Sequence, residues 1–311
     1  MKLSVILPIY NEDATLAPLF ARLVPVLEQV VSDWEIIAID DGSQDDSMKT
    51  LQALRRQMPQ VRVIKFSRNF GKEAALAAGL QAAMGARVLI MDSDLQHPPE
   101  LIPQMMDLQC QGADVVYGVR GSRQTESWVR RLCGPLFYRV FSRAAEVPIP
   151  MNGSDFRLLS RRCVDALNAL PERVRFMKGL YAWVGYRQKA VYYDVEARRS
   201  GSSKWSLLRL FSYAWSGIVS FSVIPLRVWS LIGSVIAGFS VLYAVWITLE
   251  TLIFGRDLPG YATLAVAIFF LGGLQLISIG VLGEYIARIF AETKQRPLFV
   301  IEERHGFEDL D

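Results

Sequence analysis

The sequence predicts an α/β domain built on a mostly parallel sheet with helices on both faces, followed by two membrane-crossing helices. Three observations predict it. Short apolar runs alternate with helix-like stretches through residues 3–118. Each of the first four runs stops at a polar cluster. Two much longer apolar runs stand near the C-terminal end.

Residues 3–7 read as a buried strand, ended by Pro8-Ile9-Tyr10-Asn11-Glu12. Asp13 and Thr15 can cap a helix over about 16–31. The second strand, 35–39, ends in Asp40-Asp41-Gly42-Ser43, and a helix follows over about 46–57. The third, 61–66, ends in Ser67-Arg68-Asn69-Phe70-Gly71-Lys72 before an alanine-rich helix over 73–84. The fourth, 88–91, ends in Asp92-Ser93-Asp94-Leu95-Gln96. Pro98 and Pro99 stop that strand and favour a turn into a helix starting near Glu100. A further strand is read at 114–118.

Strands and helices alternating at this spacing favour a parallel sheet covered on both faces. Ligands bind beyond the C-terminal strand ends of such sheets, where all four polar clusters fall. The cluster Asp92-x-Asp94 offers two carboxylates at one strand end. Mg²⁺ and Mn²⁺ take oxygen ligands and commonly share them between one or two carboxylates and a substrate phosphate. Taken alone, Asp92 and Asp94 read equally as loop carboxylates capping the next helix. No G-x-G-x-x-G follows the first strand and no G-x-x-x-x-G-K-[ST] is present, which excludes a standard dinucleotide or P-loop site.

The 311 residues suffice for one large domain plus something smaller. A net charge of +3 is too weak for a nucleic-acid partner. Cys110, Cys133 and Cys163 are widely spaced, and with two histidines they form neither a disulfide framework nor a zinc site. A reducing, cytosol-facing location fits. The opening MKLSVILPIYNE does not read as a signal peptide, because its apolar run is too short. The mean hydropathy of +0.23 is high for a soluble protein, with the excess near the C-terminal end.

Residues 128–143 read as a helix carrying Arg130, Arg131, Arg139 and Arg143. Residues 206–222 are amphipathic and aromatic, fit to lie in a headgroup region with Trp205, Tyr213 and Trp215 as anchors. The runs 228–249 and 262–282 each reach the roughly 20 residues a bilayer-spanning helix needs. Lys204, Arg209 and Arg227 precede the first span, and Arg288, Lys294 and Arg296 follow the second. The positive-inside rule then puts both flanks in the cytoplasm, making the spans a hairpin. The tail from Arg304, with Glu302 and Glu303 before it, is charged and expected to be mobile.

The motifs SVILPIYNE, IDDGSQDDS, SRNFGKEAAL and DSDLQHPPE, in this order, resemble the inverting GT-A glycosyltransferases of family 2. The likeness is to the branch that loads a sugar onto a polyprenyl phosphate: dolichol-phosphate mannose synthases and GtrB-like bactoprenol glucosyltransferases. It covers essentially the whole chain. It implies a GT-A catalytic domain with a Rossmann-like mixed sheet over 1–205 and an interfacial amphipathic helix over 206–225. It further implies a transmembrane hairpin over 226–290 and a cytoplasmic tail over 291–311.

The resemblance also implies roles. Pro8, Tyr10, Glu12 and Ser93 match the nucleotide-sugar site, Ile39 and Asp41 base and ribose contacts, and Arg120 a donor-binding arginine. Asp92, Asp94 and Gln96 match ligands of Mg²⁺ or Mn²⁺ and the diphosphate. Arg198 and Lys204 fit the loop R-x-x-G-x-S-K, placed to neutralise donor and acceptor phosphates. Asp155 matches the position of a catalytic base; orienting the acceptor and capping a helix are competing readings, since a phosphate acceptor is already anionic.

The expected activity is transfer of a hexose from a nucleotide sugar to polyprenyl phosphate at a bacterial cytoplasmic membrane, with the catalytic domain in the cytoplasm. SRNFGKEAAL and the two-span tail favour UDP-glucose. GDP-mannose and a UDP-amino sugar remain alternatives, as does a homo-oligomer. A processive synthase would carry Q-x-x-R-W after the D-x-D region, and none is found. A non-catalytic membrane scaffold is the reading from another class. Intact Asp92, Asp94, Arg198 and Lys204 speak against it.

Overall fold

The computed structural model describes residues 2–121, 153–173, 175–193, 224–254 and 260–307. The chain divides into two compact units, one holding every strand and the other the two long helices. The expected helix over 128–143, the amphipathic stretch over 206–222 and the loop of Arg198 and Lys204 lie outside the described residues.

The first unit opens with β1 (Leu3–Ile9), α1 (Asp13–Val30), β2 (Trp34–Asp40), α2 (Ser47–Gln57), β3 (Val61–Phe66), α3 (Lys72–Ala82) and β4 (Arg87–Ile90). A 3₁₀ turn at Pro99–Leu101 leads into α4 (Ile102–Cys110) and β5 (Val115–Arg120). Then come β6 (Gly153–Ser160), α5 (Arg161–Ala169), α6 (Met177–Trp183) and β7 (Gln188–Tyr193). The second unit is α7 (Ile224–Phe254) and α8 (Tyr261–Thr293). The chain then returns to the first unit as β8 (Ile301–His305).

Among the described residues the sheet has eight strands in the order β7-β5-β6-β4-β1-β2-β3-β8. Its centre, β4-β1-β2-β3, is parallel, while β6 and β8 run antiparallel to β4 and β3. The strand order reverses between β1 and β4, and a ligand crevice opens at such a point. The expected end of the first strand at Pro8 is two residues early. Ile6 accepts the Met91 N–H and Ile9 the Asp41 N–H, so the backbone groups of Pro8 face β4. Pairing with β4 has already stopped at Ile6. The N–H that proline lacks is therefore not needed, and a central strand tolerates it.

Leu16, Leu19, Leu23 and Leu27 of α1 and Met105 of α4 cover one face of the sheet, burying Leu3, Val5 and Leu7. On the other face lies α3, whose run Ala74–Leu80 is wholly buried. Small residues allow that close approach. A Cβ on Gly79 would stand 2.4 Å from a methyl of Ile6 and 3.0 Å from Ile39.

The expected mobile cytoplasmic tail is corrected here. Ile301–His305 is the sheet's edge strand, pairing with Val63–Phe66 of β3. Ser67 donates its N–H to Val300, Lys65 pairs with Glu302 and Glu303, and Phe299 stacks on Phe66 with ring centres 4.9 Å apart. The charges that suggest a solvated tail are those of an edge strand, where charged side chains are normal.

In the second unit, α7 and α8 contain the apolar windows Val228–Glu250 and Phe270–Thr293, of mean hydropathy 1.9 and 1.5, with none of their described residues buried. Leu231, Phe239, Trp246, Leu252, Leu276 and Ile279 stand largely exposed. That much open apolar surface marks a membrane-contacting segment.

Candidate active site

Four loops meet at the C-terminal edge of the parallel strands. After β1, Asn11 turns the chain in the left-handed region (φ 56°), a conformation asparagine tolerates. Its N–H donates to Ser43 Oγ and its Oδ1 accepts the Gln44 N–H, which ties the β1 loop to the β2 loop. Glu12 donates its N–H to Ser47 Oγ, and its carboxylate accepts the Thr15 hydroxyl. Burial raises the Glu12 pKa above the usual glutamate value, and the nearby acids add to the shift.

The β2 loop braces the β3 loop. Asp41 is almost fully buried, and its carboxylate accepts the N–H of Phe70 at 2.6 Å and of Gly71 at 2.9 Å. Gly42 (φ 70°) allows the contact, since a Cβ there would stand 2.6 Å from the Arg68 carbonyl carbon. Burial raises the Asp41 pKa, against those two hydrogen bonds. So Asp41, expected at the ribose, holds a loop in this structure. Ile39, the expected base contact, is fully buried against α3, and its side chain offers no surface to a ligand.

The loop held by Asp41 delivers Lys72 to the first position of α3. Its ammonium lies 2.5 Å from Asp92 Oδ1 and 2.7 Å from Asp155 Oδ2. The pairing of β4 with β6 explains the meeting. Ile90 is opposite Arg157 in an antiparallel register, so Asp92 and Asp155 continue it side by side. Burial opposes charge on Lys72, but the Asp92 and Asp155 carboxylates outweigh it and raise its pKa. Asp155 is pulled the other way: burial works to raise its pKa, and the Lys72 and Lys178 cations hold it well below the usual aspartate value.

Behind Asp155, Arg157 is 1% exposed and lies over the Tyr181 ring at 4.6 Å. Burial lowers its pKa from the usual arginine value. Glu73, beside Lys72, accepts the Met177 N–H at 3.1 Å and so fixes α6, whose Lys178 reaches within 4.0 Å of Asp155. Burial, with the Asp155 charge, pushes the Glu73 pKa up to about 7.

In the Asp92–Gln96 turn, the Asp92 N–H donates to His97 Nδ1, and His97 stacks on Phe156. Ser93 Oγ donates to the Pro8 carbonyl, bridging the crevice between β1 and β4. Asp94 Oδ1 accepts the Gln96 N–H. Leu95 is left-handed (φ 61°), a strained conformation for leucine. Gln96 is 3% exposed, yet neither its side-chain oxygen nor its nitrogen has a partner among the described residues.

The residues fit a hard divalent cation held jointly with a ligand. Two carboxylates and an orphaned buried amide are oxygen donors of the right kind. No three Asp, Glu, His or Cys side chains among the described residues converge on one ion, so the protein alone does not complete a cage. That suits Mg²⁺ or Mn²⁺, which keep positions for substrate phosphates.

The glycosyl transferase family 2 model matches residues 4–167, just over half of the chain. The chain belongs to that family. A second model, the GtrB C-terminal hairpin, matches residues 224–289, the stretch of α7 and α8. This family 2 glycosyltransferase therefore has the mixed α/β sheet of the GT-A fold and is membrane-associated. A Synechocystis protein described as an uncharacterized glycosyltransferase is 48% identical over 310 residues, covering 100% of this chain and 98% of its own. A prophage-derived bactoprenol glucosyl transferase of Shigella flexneri is 42% identical over 306 residues, covering 98% of this chain and 99% of its own. Among solved structures, Mycobacterium tuberculosis glucosyl-3-phosphoglycerate synthase with Mn²⁺, UDP-glucose and phosphoglyceric acid is 23% identical. It has a TM-score of 0.48 over 70% of this chain and 77% of that one.

Of the residues expected at the family 2 site, Pro8, Tyr10, Glu12, Ser93, Asp92, Asp94, Gln96 and Asp155 all lie at the C-terminal ends of β1 and β4 or beside them on β6. Arg120 ends β5. Sequence reasoning missed Glu73, Lys178 and His97 and gave Lys72 no role beyond its cluster. The G-K-E step directly after a strand-end loop was the one available signal for Lys72 and Glu73.

Proposed function

We propose that this glycosyltransferase transfers glucose from UDP-glucose to a polyprenyl phosphate at the cytoplasmic face of a bacterial inner membrane. One observation carries the reading. A single chain joins the strand-end carboxylate site to a bilayer-length helical hairpin, and it does so in register with bactoprenol glucosyl transferases over nearly its full length. A polyprenyl acceptor explains the hairpin, since a soluble enzyme would have to extract its acceptor from lipid. Arg227 in the first turn of α7, just before its apolar window, and Arg288 and Lys294 at the end of α8 support a cytoplasmic site by the positive-inside rule.

An acceptor phosphate oxygen attacks the anomeric carbon, the bond to the nucleoside diphosphate breaks on the opposite face, and the configuration inverts. The phosphate is already an anion, so no strong base is required. Asp155 fits a reaction without a base: a carboxylate paired with Lys72 and Lys178 is a poor proton acceptor and a good anchor for cations. Asp92, Asp94 and Gln96 would hold Mg²⁺ or Mn²⁺, which when bound neutralises the departing diphosphate. Arg198 and Lys204 add positive charge for the two phosphate groups.

The test is a lipid-extraction assay on the full chain in membranes, with undecaprenyl phosphate and labelled UDP-glucose, GDP-mannose or UDP-amino sugars. Label should enter the lipid phase from UDP-glucose and require the divalent ion. Label entering from another donor would replace the sugar. No lipid-linked label from any donor would end the reading.

A further inference from the structure

Resting on the proposed metal site, we propose that Lys72 is an internal counter-ion that exchanges between the metal carboxylate Asp92 and the acceptor-side carboxylate Asp155, so that Asp155 controls metal affinity without being a ligand. The geometry is the argument. Two carboxylates side by side, one just past β4 and one on β6, repel one another, as like charges placed opposite each other in a sheet do. The Lys72 ammonium bridges them at 2.5 and 2.7 Å. Asp41 fixes the backbone one and two residues before it, so the lysine is anchored at its root and free at its tip.

A divalent ion on Asp92 and a bridging ammonium on the same carboxylate repel each other. The side chain is 40% exposed and has a second anion within reach, so it can give up Asp92 while keeping Asp155. Metal loading then ends with Lys72 on Asp155 alone. That pairing turns the acceptor-side carboxylate towards a fixed cation at the moment the donor's ion is in place. Lys72 is thus a positioning residue, and Asp155 is the anion that receives it.

The test titrates Mn²⁺ alone against the full-length protein in detergent and reads free Mn²⁺ by electron paramagnetic resonance, without sugar donor. Asp155→Asn removes the alternative partner and holds Lys72 on Asp92, so Mn²⁺ affinity should fall about tenfold, although a ligand has not been touched. Lys72→Met removes the competitor, so affinity should rise by a similar factor while transfer to lipid falls. Lys72→Arg should restore wild-type Mn²⁺ affinity and part of the transfer. In Lys72→Met/Asp155→Asn the effect of the second substitution should vanish, because its messenger is gone. Equal loss from Asp155→Asn with or without Lys72, or weaker Mn²⁺ binding in Lys72→Met, overturns the proposal. Because sugar donor is absent, the wrong choice of donor leaves this readout untouched. Failure of the metal site itself shows separately, as no Mn²⁺ binding in wild type.

Discussion

The two ends of the sheet each bury carboxylates, and they treat them oppositely. At the N-terminal end Glu35 is 2% exposed and its charge is met: Lys2 and Arg62 each lie 3.1 Å from Oε2 as ion pairs, and Oε1 accepts the Ser4 hydroxyl and the Met84 N–H. Ser4 Oγ in turn accepts the Gly85 N–H. At the C-terminal end acids outnumber cations among the described residues. Lys72 is shared by two carboxylates, a buried oxygen of Asp40 has no partner, and the Gln96 amide is unpaired. A closed account of charge is what a fold needs. An open one is what a ligand completes.

The comparison breaks or sharpens under four substitutions. The largest effect is expected at the closed end. Glu35→Ala strands two cations and two donors and should cost about 3–5 kcal/mol of stability in denaturant titration, with turnover per folded molecule unchanged. A stable Glu35→Ala would mean that this cluster is not the structural one. At the open end the effect moves from stability to rate. Asp94→Asn should lower transfer about 100-fold, worth about 2.7 kcal/mol of barrier, with the melting temperature held. A large drop in melting temperature would make Asp94 a structural residue like Glu35.

A smaller, pH-graded effect belongs to Glu73. Its folded pKa of about 7 lies above the ordinary 4.5, so the folded state keeps a proton that the unfolded state has released. The stability it contributes is complete below about pH 4.5 and is lost as the pH rises through about 7. Glu73→Gln should flatten the melting-temperature profile across that window. An unchanged profile would show Glu73 to be already ionised. The smallest effect is expected at Phe299→Ala, which removes the stack on Phe66 and should cost about 1 kcal/mol beyond the lost burial. It sharpens the contrast by asking how far the open end leans on the sheet edge, because Phe66 also meets the Phe70 ring in the loop that carries Lys72. Thermal unfolding of the variant measures it.

The parallel core and its strand ends were legible in the sequence because both are local. An apolar run followed by Asp-Asp-Gly or Asp-x-Asp names a strand and its loop within a dozen residues. What joins one loop to another was not legible. Lys72 meets Asp155 across 83 positions, and Met177 meets Glu73 across 104. No local pattern encodes such distances. Ile39 was expected at the base from the family resemblance, and that resemblance says nothing of its side chain, which is buried against α3. Glu302, Glu303 and Arg304 read as a solvated tail because charge alone does not distinguish a free segment from an edge strand.

The position of β8 also sets an order of manufacture. Lys65 and Glu303 are 238 residues apart, and everything between them must leave the ribosome before the pair can form. At roughly 5–20 residues per second, the outer edge of β3 waits tens of seconds for its partner. The apolar helices emerge within that interval, before the last strand. The newborn chain therefore presents α7 and α8 while its sheet still lacks an edge, and β8 closes that edge only after both helices have been made.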